Sequence, residues 1–406
     1  MKLRGTKMTE SLIRAIEFWA FNQTSKKNGP MTFITGPRQV GKTYLVRERS
    51  KLYFNWDTTE VKKSYLKDPY FFRKLYQPGS PIIFDEINKR KDWKKILKGY
   101  FDSAERIENF IITGSGRFDI FRKGGDSLQG RYDLYHLLPL TFDEIRQNNK
   151  KRAPALPREF STWKPDITET ISDNQLISMG GFPSPYLSSS KQSLQKWNDL
   201  YIERLVKEDV RDFSNVQKVD QLELLVRLLP ERVTSPISIK ALSEDIECSQ
   251  VAIKSWLRLL ESLYLGVMIP PFHRKIHRAV KKEQKWYFYQ WAMNENPAAQ
   301  FENYLAIQLL TACQYWRDQG HGVWELYYLR DQDRREVDFM ICKNLKPVAL
   351  VEAKSSESNF PTPLNYYVEK LGIPGYVLYP KGSTRQFGEN KWGMNSATFL
   401  KGLILN

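Results

Sequence analysis

Only three cysteines occur in 406 residues: Cys248, Cys313 and Cys342. They lie too far apart for a Cys-x-x-Cys knuckle, which speaks against metal binding by cysteine, and an odd, scattered set suits a reducing compartment. His273 and His277 stand four residues apart, but neither a glutamate nor a third ligand completes a zinc pattern, so a solvent-facing pair is expected. No apolar stretch approaches the roughly 18–20 residues that span a bilayer. Met1–Lys7 is basic, yet it runs into Glu10 and Glu17 and an amphipathic pattern around Leu12, Ile13, Ile16 and Trp19–Ala20, not a signal peptide. A cytoplasmic protein without a membrane partner is expected. No repeat of solenoid period is visible.

What is abundant is positive charge. A formal net charge of +16 favours polyanionic partners, because lysines and arginines on phosphates release condensed counterions; nucleic acid, and DNA in particular, is the expected partner, against the bland alternative of solubility. Hydrophobic content of 41% and aromatic content of 13% argue for folded domains over disorder, and the length allows two to four of them.

Gly36-Pro37-Arg38-Gln39-Val40-Gly41-Lys42-Thr43 has the form Gly-x-x-x-x-Gly-Lys-Thr. An apolar run, Met31–Ile34, leads in as a buried strand, and Tyr44–Glu48 leads out as a helix. In such a loop the backbone N–H groups wrap the phosphates of a nucleotide, and the helix N-terminus adds its positive dipole end. Lys42 would reach the β/γ-phosphate oxygens and the Thr43 hydroxyl would ligate Mg²⁺, making ATP and Mg²⁺ the expected cofactors.

A second apolar run, Pro81–Phe84, ends in Asp85-Glu86. Asp85 can hold the Mg²⁺ through water, and Glu86 can polarise the water that attacks the γ-phosphate. A third, Phe110–Ile112, ends in Thr113-Gly114-Ser115-Gly116, where Thr113 or Ser115 can either sense the nucleotide or merely build a turn. Arg131, after the glycine-bearing Ser127–Gly130, is a candidate γ-phosphate contact in its own subunit or in a neighbour's, the latter requiring a homo-oligomer.

Further along, the Pro-, Lys- and Arg-rich stretch 147–165 reads as an exposed loop or linker, Met179–Pro183 as a tight turn, and Leu194–Phe213 and Val219–Arg232 as helices of a lid and connector. Ile239–Ile246 and a second helix N-capped by Ser249 form a pair across a short turn. The second helix places Ile253, Trp256, Leu257, Leu260, Leu263 and Tyr264 on a core face and Gln250, Lys254, Ser255 and Arg258 opposite. With the basic run from His273 to Lys285 and the strand Trp286–Tyr289, this is the layout of a winged helix; a module that only transmits motion between domains fits the same residues.

In the last third, Phe301-Glu302-Asn303 opens a helix reaching about Arg317. Strands follow at Leu326–Leu329, Arg335–Ile341 and Val348–Lys354. Alternation puts Glu352 and Lys354 on one face, and pairing of the strands would set Asp338 beside them. Glu302, Asp338 and Glu352 could then hold Mg²⁺, with Lys354 orienting the attacking water or steadying phosphorane charge; charge at a strand edge without chemistry is the alternative.

Taken together, Gly36–Thr43, Phe84-Asp85-Glu86, Thr113-Gly114-Ser115, Ser127–Arg131, Leu138-Pro139-Leu140, Phe301-Glu302-Asn303, Glu336-Val337-Asp338 and Glu352-Ala353-Lys354 resemble a family of prokaryotic AAA-type P-loop ATPases with a C-terminal restriction-endonuclease-like region. The resemblance covers most of the chain. It implies an α/β protein: a parallel-sheet P-loop core (1–145), a helical lid and connector (146–235), a winged helix (236–292) and a C-terminal restriction-endonuclease-like α/β domain (293–406). It also implies metal and base roles for Asp85 and Glu86, and strengthens Arg131 as a γ-phosphate residue. The PD-(D/E)xK pattern is matched at Asp338, Glu352 and Lys354, although such folds also serve for binding alone. The sequence departs from the family at Gln290–Gln300, where Trp291-Ala292-Met293-Asn294 replaces an Asp-bearing turn.

Overall fold

The structure is a computed structural model that describes residues 14–21, 29–103, 108–116, 128–146, 153–165, 171–209, 219–273 and 283–405. Its first layer is a five-stranded, wholly parallel sheet of β1 (Met31–Gly36), β2 (Tyr53–Asn55), β3 (Ile82–Asp85), β4 (Phe110–Ser115) and β5 (Tyr132–His136), ordered β2-β3-β4-β1-β5. The three inner strands are apolar runs because both of their faces are covered. Phe33, Phe84 and Phe110 point into an aromatic core with Phe72, Trp93 and Tyr100, whereas Ile34, Ile83 and Ile111 pack on the opposite side with Val40, Leu45 and Val46. Parallel strands share one C-terminal edge, so the turn after β1, the carboxylates after β3 and the hydroxyls at the end of β4 are delivered to the same place.

Short helices follow at Asn174–Met179, Pro183–Ser188, Lys191–Arg204 and Val219–Leu228. Gly180, at φ +80°, makes the turn expected at Met179–Pro183. Where it is described, the stretch expected as an exposed loop or linker is a loop, but one anchored on the rest of the fold. Ala155 donates its N–H to Ile404 O at 2.8 Å, and Phe160 and Trp163 pack against Tyr376 and Phe399. Phe160 is buried and Trp163 half-buried there, and the two rings anchor the loop. Residues 147–152 lie outside the described set.

Helices Ile239–Asp245 and Gln250–Ser262 are capped by the Ser238 and Ser249 hydroxyls, and the antiparallel pair β6 (Gly266–Ile269) and β7 (Lys285–Phe288) follows. The six side chains expected in the core of the longer helix and its end are buried. Residues 274–282, which carry most of the basic run and include His277, lie outside the described residues.

The last unit begins with the 22-residue helix Pro297–Asp318 and continues through β8 (Trp324–Arg330), β9 (Glu336–Lys343), β10 (Lys346–Ala353), helix Thr362–Leu371, β11 (Gly375–Tyr379), β12 (Arg385–Gly388), β13 (Lys391–Asn395) and helix Ser396–Leu400. These strands form one mixed sheet, ordered β12-β13-β11-β10-β9-β8, in which β8, β9 and β10 run antiparallel and β11 joins β10 in parallel. Asn344 and Leu345, both at positive φ, close the tight β9–β10 hairpin.

The long helix spans about 33 Å at 1.5 Å per residue. Near its start it holds Glu302. Further on, Gln308 accepts from Phe142 N and donates to Leu140 O, and at its end the Asp318 carboxylate accepts from His136 N at 2.8 Å. The helix thereby ties the far sheet to the end of β5. Among the described residues no helix is long and apolar enough to cross a membrane.

Candidate functional site: a phosphate loop and a carboxylate cluster

The loop after β1 is built by backbone conformations that few residues tolerate. Gln39 and Gly41 sit at φ +64° and +104°, and a Cβ on Gly36 would lie 2.0 Å from Leu137 O, so only glycine fits against the end of β5. Lys42 starts the following helix and folds into the loop, its Nζ donating to Gly36 O at 2.9 Å and Pro37 O at 2.7 Å. From behind, Arg14 donates to Val40 O and Leu138 O and is itself held by Glu144 at 3.1 Å. Pro37 and Val40 are buried in the loop wall, while Arg38 and Gln39 face outward.

Asp85 is the hub of this edge. Its carboxylate accepts from the hydroxyls of Thr43 at 2.8 Å, Tyr53 at 2.5 Å and Thr113, and it is 1% exposed. Burial and the adjoining carboxylate push the Tyr53 hydroxyl well above its usual range, so it stays a donor. Glu86 adopts a left-handed conformation at φ +59° and accepts from Ser115 Oγ at 2.9 Å and Ser115 N at 3.4 Å. The two β4 hydroxyls therefore divide: Thr113 serves Asp85 and Ser115 serves Glu86. A hydroxyl and a carboxylate side by side next to an anion-binding loop are the hard-oxygen donors that Mg²⁺ takes together with phosphate and water.

Arg131 does not join them. Its backbone O accepts from Met31 N at 2.9 Å, at the start of β1, and its guanidinium pairs with Asp102 at 2.8 and 3.1 Å. The length of β1, roughly 17–20 Å at 3.3 Å per residue, separates it from the phosphate loop. A γ-phosphate contact from Arg131 within its own chain is thus corrected: the arginine precedes a parallel strand, and parallel strands begin at the edge opposite the site.

A second cluster forms on β9 and β10. Val351 pairs with Phe339, which sets Glu352 beside Asp338; Asp338 N donates to Glu352 Oε2 at 3.3 Å and Ala353 N to Asp338 Oδ2 at 2.9 Å. Lys354 Nζ donates to Glu352 at 2.8 Å. Glu302 arrives from the long helix and accepts from Tyr287 at 2.7 Å. Burial, then the neighbouring Asp338 carboxylate, pushes Glu302 up to about 8 and Glu352 up to about 7; burial also raises Asp338.

The expected three-carboxylate metal site is not assembled, however. Among the described residues no three His, Cys, Asp or Glu side chains are gathered to hold a metal ion. An ammonium stands between them instead: Lys285, the first residue of β7, lies 2.7 Å from Glu336, 3.5 Å from Glu302 and 3.7 Å from Asp338. The residues present do not fit a Mg²⁺ held by Glu302, Asp338 and Glu352 together. Lys285 ends the basic run that begins at His273, and nothing in a sequence marks a lysine as buried until its strand is placed. Arg14 and Tyr53 were missed for the same reason, each lying far in sequence from the motif it supports.

A family model described as an AAA domain matches residues 28–146. The N-terminal region is thus similar to an AAA domain. Two models described as domains of unknown function, DUF8612 and DUF4143, match residues 173–294 and 298–399, after the AAA module. The uncharacterized protein Rv2008c of Mycobacterium tuberculosis is 23% identical over 321 residues, which cover 73% of this chain and 67% of the relative. The uncharacterized protein MJ1637 of Methanocaldococcus jannaschii is 22% identical over 289 residues, covering 63% and 59%. A solved structure of the Aeropyrum pernix Orc1 protein in complex with DNA aligns over 71% of this chain and 90% of its own, with 13% identity and a TM-score of 0.32, too slight an overlap to carry a likeness of fold.

Proposed function

We propose that the chain is an ATP-hydrolysing AAA protein that acts on or with DNA, using its C-terminal half as a docking surface driven by the nucleotide state. The observation that carries the ATPase reading is the convergence of Lys42, Thr43, Asp85 and Glu86 on one sheet edge. In this reading Lys42 exchanges its two loop carbonyls for the β/γ-phosphate oxygens of ATP. Thr43 and Asp85 would hold Mg²⁺, which neutralises phosphate charge when bound. Glu86 leaves Ser115 to orient the attacking water, so Ser115 reports whether a γ-phosphate is present. Arg131 remains available only to a neighbouring subunit in a homo-oligomer. Lys42→Ala should abolish ATP binding and phosphate release; unchanged release in that variant would refute the reading.

The DNA reading rests on the charge of +16 and on the helix pair followed by a hairpin, the order of a winged helix. The helix–three strands–helix–strand order from Pro297 to Tyr379, with one antiparallel meander and one parallel return, supports a restriction-endonuclease-like fold for the last unit. Docking is favoured over cutting by the lysine among the carboxylates. A second reading, a Mg²⁺-dependent nuclease, is favoured by the juxtaposition of Asp338, Glu352 and Lys354. Plasmid nicking with Mg²⁺ separates the two: docking predicts none from wild type, whereas cutting predicts nicking that Asp338→Ala and Lys354→Ala both abolish.

A further inference from the structure

Three carboxylates from two elements converge on the Lys285 nitrogen, and the side chain that carries it is 1% exposed. Glu302 comes from the long helix, Glu336 and Asp338 from β9, and the lysine from β7 of a different sheet. A buried ammonium persists only where its charge is matched, and here the match is several-fold. Glu302 and Asp338, on separate elements, bring to that nitrogen the hard oxygens that a divalent cation also takes. On the other side of the cluster Lys354 holds Glu352, and Arg330 reaches Glu336 at 3.6 Å.

We infer that Lys285 is the resident cation of the C-terminal cluster: its ammonium takes the place in which a divalent ion would join Glu302 to Asp338, and the cluster accepts such an ion only when that ammonium is removed. The inference rests on the restriction-endonuclease-like reading of the last unit and explains how that fold would be kept for docking. It also makes the β6–β7 hairpin part of the centre, since withdrawal of β7 would take the Lys285 ammonium away from Glu302, Glu336 and Asp338.

Mn²⁺ titration of the nucleotide-free full chain, followed by the electron paramagnetic resonance signal of free Mn²⁺, tests this. Wild type should bind no Mn²⁺ that Asp338→Asn removes. Lys285→Met should bind one Mn²⁺ per chain, at least ~10-fold more tightly than any site on wild type, and Lys285→Met with Asp338→Asn should lose it. Lys285→Gln, which keeps a donor for Glu336 and thus guards against misfolding, should behave like Lys285→Met; circular dichroism and a cooperative thermal melt verify that each variant is folded. A wild-type Mn²⁺ site that Asp338→Asn abolishes, or a folded Lys285→Gln that gains none, overturns the inference. Failure of wild type to bind DNA would instead overturn the proposed function and leave the Mn²⁺ result standing.

Discussion

Replacing Asp85 separates its chemical role from its structural one. Three hydroxyls end on its carboxylate, but they are not equally dependent on it: Thr113 is fully buried, Tyr53 is half-buried and Thr43 is exposed. Leaving a buried donor without a partner costs about 1–3 kcal/mol, whereas exposed donors turn to water at little cost. Asp85→Ala therefore loses the full penalty at Thr113 and part of it at Tyr53, on the order of 2–4 kcal/mol. Asp85→Asn keeps the shape, accepts from two hydroxyls and donates to the third, so about 1 kcal/mol is expected. Yet the asparagine lacks the charge that would hold Mg²⁺, and ATP turnover should fall at least ~100-fold, the scale of losing one preorganised electrostatic group. Urea denaturation and phosphate release on the two variants read both quantities. An Asp85→Asn protein with turnover within threefold of wild type, or an Asp85→Ala protein as stable as wild type, would refute the reasoning.

Two further outcomes follow from the same geometry. Gly36→Ala places a methyl 2.0 Å from Leu137 O and should cost about 1–3 kcal/mol by overpacking while abolishing ATP binding; a nucleotide-binding assay on the folded variant checks it, and wild-type affinity would contradict it. For the carboxylate cluster the sign is set by the upward shifts of Glu302, to about 8, and Glu352, to about 7. A folded pKa above the ordinary value stabilises below that value, and the contribution is lost as pH rises through about 7–8. Glu302→Gln and Glu352→Gln, which mimic the protonated groups, should thus melt higher than wild type at pH 8.5, by an equivalent on the order of 1–3 kcal/mol, and lose that advantage at pH 5. Thermal melts at the two pH values decide it; a variant that gains only at pH 5 would reverse the sign.

How much of this was legible before folding differs between the two centres. The phosphate loop, β3 and β4 could be read because a buried parallel strand is a continuous apolar run and its functional residues stand directly after it: Asp85 and Glu86 follow Phe84, and Thr113 follows Ile112. Arg131 misled because it precedes its strand, and the opposite edge of a parallel sheet is invisible in local spacing. At the C-terminal cluster, alternation and pairing brought Asp338 and Glu352 together as expected, since a two-residue hairpin fixes the β9–β10 register. Lys285 belongs to another sheet, and its placement depends on how β7 packs on the long helix. Phe160 and Trp163 similarly anchor the loop 153–165 on partners more than 200 residues away, which local composition does not show.

The central claim is that Glu86, released from Ser115, drives hydrolysis of an ATP held by Gly36–Thr43. The most direct measurement is single-turnover phosphate release together with retention of labelled ATP in wild type and Glu86→Gln. Wild type should release phosphate with Mg²⁺ present, and Glu86→Gln should retain ATP while releasing essentially none. Release by Glu86→Gln at the wild-type rate, or no release from wild type, would contradict the account.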